Sequence, residues 1–379
     1  MEHITYQFEY DERIPVAFIG AGGHSYRNVY PSFQYAPVDL RAVCDLDGER
    51  AATYARLFGA PRSYADHREM LERERPTAVF VVTSYTEDGR VQATDLAVDC
   101  LRAGAHVWME KPTAASVAEI HHLQKESAAA GRFVMTGLKK IFTPAMERTK
   151  DIISSPDFGE VSSVSVRYPQ NLPAYEKRRD LVAMRGFLDH IYHPGAVLHH
   201  LMGQVRGFGY QWEPASGAST ASLRFASGAI GTLHLAAGSA ATSPLERVEV
   251  VGQDANVVVD NSVRLTYYRR GARLGYGRSS SYVVDEDHAP LHWEPEFSLG
   301  QLYNKNLFYL GYVPEILHFC DSVLSGTPPT KGTLDDSLAI MRLFEAYQTV
   351  PAGTFVDLPH ESPLQPPLPL PLPNENGAT

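Results

Sequence analysis

Residues 14–25 read Ile-Pro-Val-Ala-Phe-Ile-Gly-Ala-Gly-Gly-His-Ser, and this stretch decides the fold. The first six residues form an apolar run that predicts a buried β-strand. Three glycines follow within the next four positions, where they allow a tight turn and the close approach of a ligand to the backbone. A strand that runs directly into such a turn is typical of the first unit of a dinucleotide-binding domain.

The residues that follow repeat an alternation of short apolar runs and helical patterns as far as about residue 137. This alternation predicts a parallel sheet covered by crossover helices. Gly59 and Gly131 stand where two of the helices are expected to stop. Further strands are predicted at residues 39–44, 78–83 and 106–109, and helices at residues 49–58, 92–103 and 116–130.

Asp45 follows the second predicted strand, 25 residues after Gly20. An acidic residue at this point accepts hydrogen bonds from the ribose of the cofactor and repels a 2′-phosphate, so the sequence favours NAD over NADP. Ser25 replaces the third glycine of the motif, and Arg41 and Arg50 are near enough in sequence to bind a phosphate instead. The predicted cofactor-binding residues of this segment are Gly20, Gly22, Gly23, His24 and Asp45.

After about residue 150 the pattern changes to strands with few helices between them, which favours antiparallel pairing. Residues 362–373 are rich in proline and predict an extended tail. The fold class is therefore α/β, with a Rossmann domain at residues 1–137, an α+β domain at 138–360 and a tail at 361–379. Strands are predicted at 161–168, 221–225, 229–235, 246–251 and 256–259, and helices at 311–325 and 335–349.

Composition excludes several classes of protein. The 379 residues carry 34 Lys and Arg against 44 Asp and Glu, a net charge of −10, so nucleic acid is not an expected partner. No run approaches the roughly 20 apolar residues of a membrane span, and the polar N-terminus is unlike a signal peptide. The three cysteines are too few and too scattered for a disulfide framework or a metal site. A cytoplasmic location with reduced thiols and no bound metal is the expectation.

Two further motifs resemble a known family. Residues 105–112 read Ala-His-Val-Trp-Met-Glu-Lys-Pro and residues 189–193 read Asp-His-Ile-Tyr-His. Together with the loop at residues 20–23, they resemble the Gfo/Idh/MocA oxidoreductases over about residues 16–358. The resemblance implies a Rossmann domain, a second domain with a large, open and mostly antiparallel sheet, and association into homodimers or homotetramers through that sheet.

The resemblance also implies site residues. Lys111, Asp189 and His193 are expected to be catalytic. His193 would take the proton of a substrate hydroxyl, Lys111 would donate to the same oxygen, and Asp189 would orient the site or hold a neighbouring hydroxyl. Other readings are a surface lysine, a helix cap and a buried packing histidine. Glu110 and Lys111 are further expected at the cofactor, and Lys111, Tyr168, Arg185, Asp189, Tyr192 and His193 at the substrate.

The sequence departs from the family pattern at three places. Ala196 stands where an acidic residue is common, three positions after His193. Residues 84–90 read Ser-Tyr-Thr-Glu-Asp-Gly-Arg where the family resembles Pro-Asn followed by His, so packing at the nicotinamide is expected to differ. Ile141 replaces a common arginine and is preceded by Lys139 and Lys140.

Two other segments have an open interpretation. Lys177, Arg178 and Arg179 could hold a phosphate or carboxylate, although a solvated basic loop is favoured. Tyr303, Tyr309 and Tyr312, with Asn304 and Asn306, suit either a sugar ring or a subunit interface.

The predicted function is NAD-dependent oxidation or reduction at a ring carbon of a sugar, sugar derivative or cyclitol, a substrate class that comes from the resemblance alone. One alternative is an enzyme that retains its cofactor and uses transient oxidation to cleave a glycosidic bond or modify a sugar. Another is a nucleotide or sugar sensor without activity.

Overall fold

The computed structural model describes residues 10–243, 245–270, 289–295 and 305–359. Its first sheet has six strands in the order β3-β2-β1-β4-β5-β6, and every neighbouring pair is parallel. The predicted parallel sheet is confirmed. The strands are β1 (Ile14–Ile19), β2 (Val38–Cys44), β3 (Arg62–Tyr64), β4 (Ala78–Val81), β5 (His106–Glu110) and β6 (Val134–Gly137).

Helices cover this sheet, and the predicted glycine stops are present. Gly59 and Gly131 end their helices with φ of +79° and +60°, a left-handed conformation that favours glycine. The predicted strands and helices of this half are all found, with ends within two residues of the expected ones. The helices are α1 (Gly48–Phe58), α2 (His67–Glu74), α3 (Gln92–Arg102) and α4 (Val117–Ala130).

The segment after the glycine-rich loop is not the regular α-helix that the motif predicts. It forms a π-helical turn, Ser25–Val29, and then a 3₁₀ helix, Tyr30–Tyr35. Pro31 lies at the start of the 3₁₀ helix and has no N–H group, so it cannot donate the hydrogen bond that would continue an α-helix through this point.

Within the residues described, the second sheet has nine strands in the order β14-β13-β12-β11-β7-β10-β9-β8-β15. All its pairs are antiparallel except β7 with β10, which is parallel and was not predicted. Its residues alternate between buried and exposed along β9, so one face packs on the core and the other is open. The strands are β7 (Ser163–Tyr168), β8 (Val205–Trp212), β9 (Ser219–Phe225), β10 (Ile230–Leu235), β11 (Arg247–Val251), β12 (Asn256–Asp260), β13 (Arg264–Tyr268), β14 (Leu291–Trp293) and β15 (Phe355–Asp357).

The longest helix of this half, α6 (Leu181–Met202), contains Pro194, and before it the buried residues recur at helical spacing, at Met184, Phe187, Leu188, Ile191 and Tyr192. Asp180 caps it by accepting from the Val182 amide at 2.9 Å. Asp189 therefore lies inside the helix, and the reading of Asp189 as a cap is wrong. The other helices are α5 (Pro144–Ser154), α7 (Lys305–Tyr309), α8 (Tyr312–Ser325) and α9 (Leu334–Thr349), with a 3₁₀ turn at Lys139–Phe142.

Buried hydroxyl groups join the two halves next to the end of β5. Thr113 Oγ1 lies 2.8 Å from Thr136 Oγ1 and 2.9 Å from Ser337 Oγ of α9. Helix α6 packs on α9, so the residues that follow β5 are held beside α6. No helix in the described residues is long and apolar enough to span a membrane. The tail at residues 361–379 lies outside the described residues.

Candidate active site

The glycine-rich loop leaves β1 at the edge of the sheet where the strands end. Gly20 has φ of +113°, and a Cβ atom there would lie 1.9 Å from the Val82 carbonyl oxygen, so only glycine fits. At Gly22 and Gly23 an added Cβ would meet no atom within 4 Å. The loop therefore faces open space, which suits the pyrophosphate of a dinucleotide.

Ser25, which departs from the glycine motif, secures this loop. Its hydroxyl is buried, donates to the Gly22 carbonyl oxygen at 2.8 Å and accepts from the Gly22 amide at 3.1 Å. The small side chain thus replaces the third glycine without disturbing the packing of the loop on the sheet.

Asp45 follows β2 and lies beside the same loop. One carboxylate oxygen accepts from the Ala21 amide at 2.8 Å, and the other lies 2.9 Å from Nη2 of Arg50. Asp45 is mostly buried, whereas half of the Arg50 side chain is exposed. Arg41, the other arginine near this point, pairs with Asp39. The residues at the ends of β1 and β2 therefore fit a dinucleotide cofactor, whose nicotinamide, when bound, exchanges a hydride with a substrate carbon.

Glu110, at the end of β5, connects the loop to the second half of the chain. Its carboxylate lies 3.3 Å from His24 Nε2, and the ring of His24 lies 5.9 Å from that of Tyr312 at the start of α8. Lys139 Nζ lies 4.5 Å from the centre of the Tyr312 ring, and burial lowers the pKa of Lys139. Glu315, one helical turn further along α8, is fully buried, and burial followed by the nearby Glu110 raises its pKa well above the usual value.

The structure brings Lys111 and Asp189 together, although 78 positions separate them in the sequence. Lys111 directly follows β5, its peptide bond to Pro112 is cis, and its Nζ donates to Asp189 Oδ1 at 2.9 Å. Asp189 lies on α6 with about a third of its side chain exposed. The carboxylate is therefore accessible from the open side of the cleft.

His193 lies one turn further along α6. Burial lowers its pKa well below the usual value, and the charges of Lys111, Lys140 and Lys139 lower it further. The imidazole is consequently neutral near pH 7, the form that can accept a proton. The ring of Tyr168, at the end of β7, lies 5.9 Å from the ring of His193.

His190 is the other histidine on this part of α6, and it is exposed. Its ring lies 6.4 Å from that of His193, and its Nδ1 is 2.9 Å from the Gly186 carbonyl oxygen. Within the described residues, no group of three or more His, Cys, Asp or Glu side chains could hold a metal ion.

Tyr192 is present at the site but points away from the cleft. It is 1% exposed, and its hydroxyl accepts from the Thr113 amide at 3.2 Å. Burial raises its pKa to about 12. The hydrogen bond from the Thr113 amide connects α6 to the turn that follows Lys111 and Pro112.

Tyr85 belongs to the site although the sequence does not identify it. Its hydroxyl lies 3.5 Å from Asp189 Oδ1, and burial followed by the charge of Asp189 raises its pKa. The guanidinium of Arg185 lies 5.3 Å from the centre of the Tyr85 ring. The sequence signal that could have identified Tyr85 is the departure from the family pattern at residues 84–90, where a tyrosine stands among residues that replace the expected ones.

A second lysine near His193 also forms an ion pair with a carboxylate. Lys140 Nζ lies 2.6 Å from Glu246 Oε1, and Ser262 also donates to Glu246. Burial, and then the charge of Glu246, raises the pKa of Tyr168. The sequence noted Lys140 but could not identify its partner, which lies 106 positions away.

The burial of Arg178 and of Tyr312 corrects how each was interpreted from the sequence. Arg178 is fully buried, donates from Nε to the Pro173 carbonyl oxygen at 2.7 Å and packs between the rings of Tyr210 and Trp212, so it does not belong to a solvated loop. Tyr312 is 2% exposed, which leaves it unable to stack on a sugar. Tyr303 and Asn304 lie outside the described residues.

A curated relative covers most of the chain. Myo-inositol 2-dehydrogenase of Thermotoga maritima is 23% identical over 326 residues, which cover 82% of this chain and 88% of that protein.

Two solved structures have the same fold. Levoglucosan dehydrogenase, in complex with NADH and L-sorbose, superposes with a TM-score of 0.72 at 18% identity and covers 92% of this chain and 100% of that chain. An oxidoreductase from Agrobacterium radiobacter, in complex with NAD+, L-tartaric acid and magnesium, superposes with a TM-score of 0.72 at 16% identity. The superposition covers 91% of this chain and 98% of that chain.

The family comparison covers both halves of the chain. Residues 14–138 match the oxidoreductase family with an NAD-binding Rossmann fold, and residues 146–258 match the GFO/IDH/MocA C-terminal domain. The fold, the strand-end cleft and these two matches agree, and the chain belongs to the Gfo/Idh/MocA oxidoreductase family.

Proposed function

We propose that the protein is an NAD-dependent dehydrogenase that interconverts a ring hydroxyl and a ketone of a sugar, sugar derivative or cyclitol. The observation that carries the proposal is the ion pair between Lys111 and Asp189, which lies where β5 ends and next to the neutral imidazole of His193. The names of the inositol and levoglucosan dehydrogenases support the substrate class.

Each of the three side chains has a role in this proposal. The neutral His193 imidazole accepts the proton of the substrate hydroxyl. The Lys111 ammonium donates to the same oxygen and stabilises the negative charge that develops there. Asp189 holds Lys111 by the 2.9 Å hydrogen bond, and its exposed oxygen accepts from a second hydroxyl of the substrate.

The preference for NAD over NADP follows from the charge of Asp45. A 2′-phosphate would approach this carboxylate, and repulsion between like charges disfavours it. Arg50 lies 2.9 Å from Asp45 and partly offsets the repulsion, so the preference depends on both residues. In the Asp45→Asn variant the ratio of kcat/KM for NAD to that for NADP should fall about 10-fold, and an unchanged ratio would contradict the role of Asp45.

The test of the proposed function is the near-ultraviolet absorbance of reduced nicotinamide when the purified protein is mixed with NAD and a panel of sugars, sugar acids and cyclitols. Absorbance should grow with at least one compound, and a Lys111→Met variant should show none. If the absorbance does not increase and a nicotinamide cofactor is released when the protein is denatured, the cofactor-retaining enzyme would be favoured. No growth and no bound cofactor would favour the sensor.

Association of the chain is proposed to use the open face of the second sheet. Ile230 and Phe355 are 60% and 52% exposed on this face and would lose apolar surface to water if it were covered. Light scattering should give the mass of a dimer or a tetramer, and a monomer at micromolar concentration would contradict this.

A further inference from the structure

One face of α6 carries a third polar residue in line with Asp189 and His193. Arg185 is four positions before Asp189, which in turn is four positions before His193. Side chains four positions apart lie on the same side of a helix, about 6 Å apart along its axis. Arg185 therefore lies at the outer end of the stripe whose inner end is His193.

Arg185 has no acidic partner in the described part of the chain. Its Nη2 donates to the Thr86 carbonyl oxygen at 3.2 Å, and this is its one hydrogen bond there. Its Nε is buried and has no hydrogen-bond acceptor among these residues. Nη1 makes no hydrogen bond among these residues either and, unlike Nε, is not buried, so an oxygen of a ligand could accept from it.

The loop at residues 84–91 fixes the guanidinium in place. A Cβ atom at Gly89 would lie 2.7 Å from the Leu181 carbonyl carbon, so glycine allows this loop to pack on the first turn of α6. The Thr86 amide donates to the Arg90 carbonyl oxygen at 2.9 Å, which closes the loop. Tyr85 and Thr86 consequently hold Arg185 from one side.

Among the described residues, the lysines near the site are each balanced by a carboxylate, whereas Arg185 is not. Lys111 is paired with Asp189, and Lys140 is paired with Glu246. The charge of Lys139 is opposed by that of Glu110. A positive charge without a counterpart at the outer end of the α6 stripe favours an anion at this position.

We propose that Arg185 binds an acidic group of the substrate, so that the enzyme acts on sugars or cyclitols carrying a carboxylate or phosphate in preference to neutral ones. The proposal rests on the dehydrogenase function proposed above. A single ring with an acid group on an exocyclic carbon would place its reacting hydroxyl at Lys111 and His193 and the acid at Arg185. The planar guanidinium suits the two oxygens of either group.

The experiment compares sugars that differ only at the exocyclic carbon. D-glucose, D-glucuronate and D-glucose 6-phosphate, with the corresponding galactose series, are titrated calorimetrically into the protein saturated with NADH, and their oxidation by NAD is measured in parallel. At least one acid should bind about 10- to 100-fold more tightly than its neutral counterpart. The better of the uronate and the phosphate identifies the acid group.

The variants test the residue itself. Arg185→Gln should remove the advantage of the acid, because the affinity for the acid should fall at least about 10-fold more than the affinity for the neutral sugar. Arg102→Gln, which removes an exposed arginine paired with Glu126 between α3 and α4, is the matched control and should retain the advantage.

The outcomes separate this proposal from the proposed function. If no acid binds more tightly than its neutral counterpart, or if Arg185→Gln weakens both equally, the role of Arg185 is wrong. Oxidation confined to neutral sugars would leave the dehydrogenase and remove this proposal. Preferential binding of an acid without any oxidation by NAD would support the Arg185 site and count against the dehydrogenase.

Discussion

Two lysine–carboxylate pairs have their lysines near His193, and the pairs differ in exposure. Lys111 and Asp189 are separated by 2.9 Å, with 13% and 35% of their side chains exposed. Lys140 and Glu246 are separated by 2.6 Å, with only 10% and 5% exposed. Both are ion pairs between residues remote in sequence, yet only the first opens onto the cleft.

The difference in exposure indicates that the two ion pairs have different roles. A pair open to the cleft can exchange part of its hydrogen bonding for a substrate hydroxyl at little cost. A closed pair cannot do so, because removing either partner leaves a buried charge uncompensated. We therefore propose that Lys111 and Asp189 take part in the reaction and that Lys140 and Glu246 stabilise the structure around it.

Replacing the open lysine should have the largest effect. In Lys111→Met the substrate oxygen loses its cationic donor, and kcat/KM should fall about 10³- to 10⁴-fold. The urea midpoint of unfolding should change little, because Asp189 can be solvated once its partner is gone. A variant with more than a tenth of the original turnover would show that Lys111 does not act on the substrate.

Replacing the closed lysine should act on stability instead. Lys140→Met leaves the Glu246 carboxylate buried and uncompensated, which should lower the free energy of unfolding by about 3 kcal/mol. Turnover per folded molecule should remain within about 10-fold of the original, since Lys140 donates to no substrate in this account. Urea unfolding followed by tryptophan fluorescence measures the first quantity.

The matched control removes both charges. Lys140→Met with Glu246→Leu should recover most of the lost stability, because no buried charge remains. If the double variant is as unstable as the two single losses added together, the pair is not the source of the effect.

The neutral imidazole predicts a pH profile. Burial, and then the charge of Lys111, lowers the pKa of His193 well below its usual value. An ordinary histidine gains a proton as the pH falls through about 6.5 and stops acting as a base. Here kcat/KM should stay level through that range and decline only at lower pH. An acid limb centred near pH 6.5 would mean that His193 is solvated in the working enzyme or is not the base.

The smallest effect is expected for Tyr85, which lies beside the Lys111–Asp189 pair. Tyr85→Phe removes a hydroxyl that lies 3.5 Å from Asp189, a distance at which a hydrogen bond is weak. The value of kcat/KM should fall by less than about 5-fold, without loss of stability. A fall of 100-fold would place Tyr85 among the groups that act on the substrate.

Local patterns in the sequence predicted most of the fold. The strands β1, β4 and β5 are buried and read as continuous apolar runs, and glycines mark the ends of α1 and α4. Helix α6 was harder to predict to its end, because Pro194 reads as a break and residues 194–198 are all buried, so they carry no helical period. The parallel pairing of β7 with β10 depends on contacts between distant segments, which a local pattern does not contain.

The candidate site divides in the same way. The loop at Gly20 and the acid at Asp45 follow strand ends in sequence order, so their proximity could be predicted from the order of elements. Glu246 could not be identified, because its partner Lys140 lies 106 positions away and only the packing of the second half brings them together. Tyr85 was indicated only by the departure from the family pattern at residues 84–90. Arg178 was misread for a related reason: its sequence neighbours are charged and exposed, but its own side chain is enclosed by Tyr210 and Trp212.

The most direct test of the account is to measure cofactor binding and turnover together in His193→Asn. His193 is proposed to accept the substrate proton and to take no part in holding the dinucleotide, which the residues at the ends of β1 and β2 bind. NADH affinity, followed by fluorescence titration, should stay within about 3-fold, while kcat with the best sugar substrate should fall at least about 10³-fold. Turnover within 10-fold of the original protein, with NADH binding intact, would contradict the central claim.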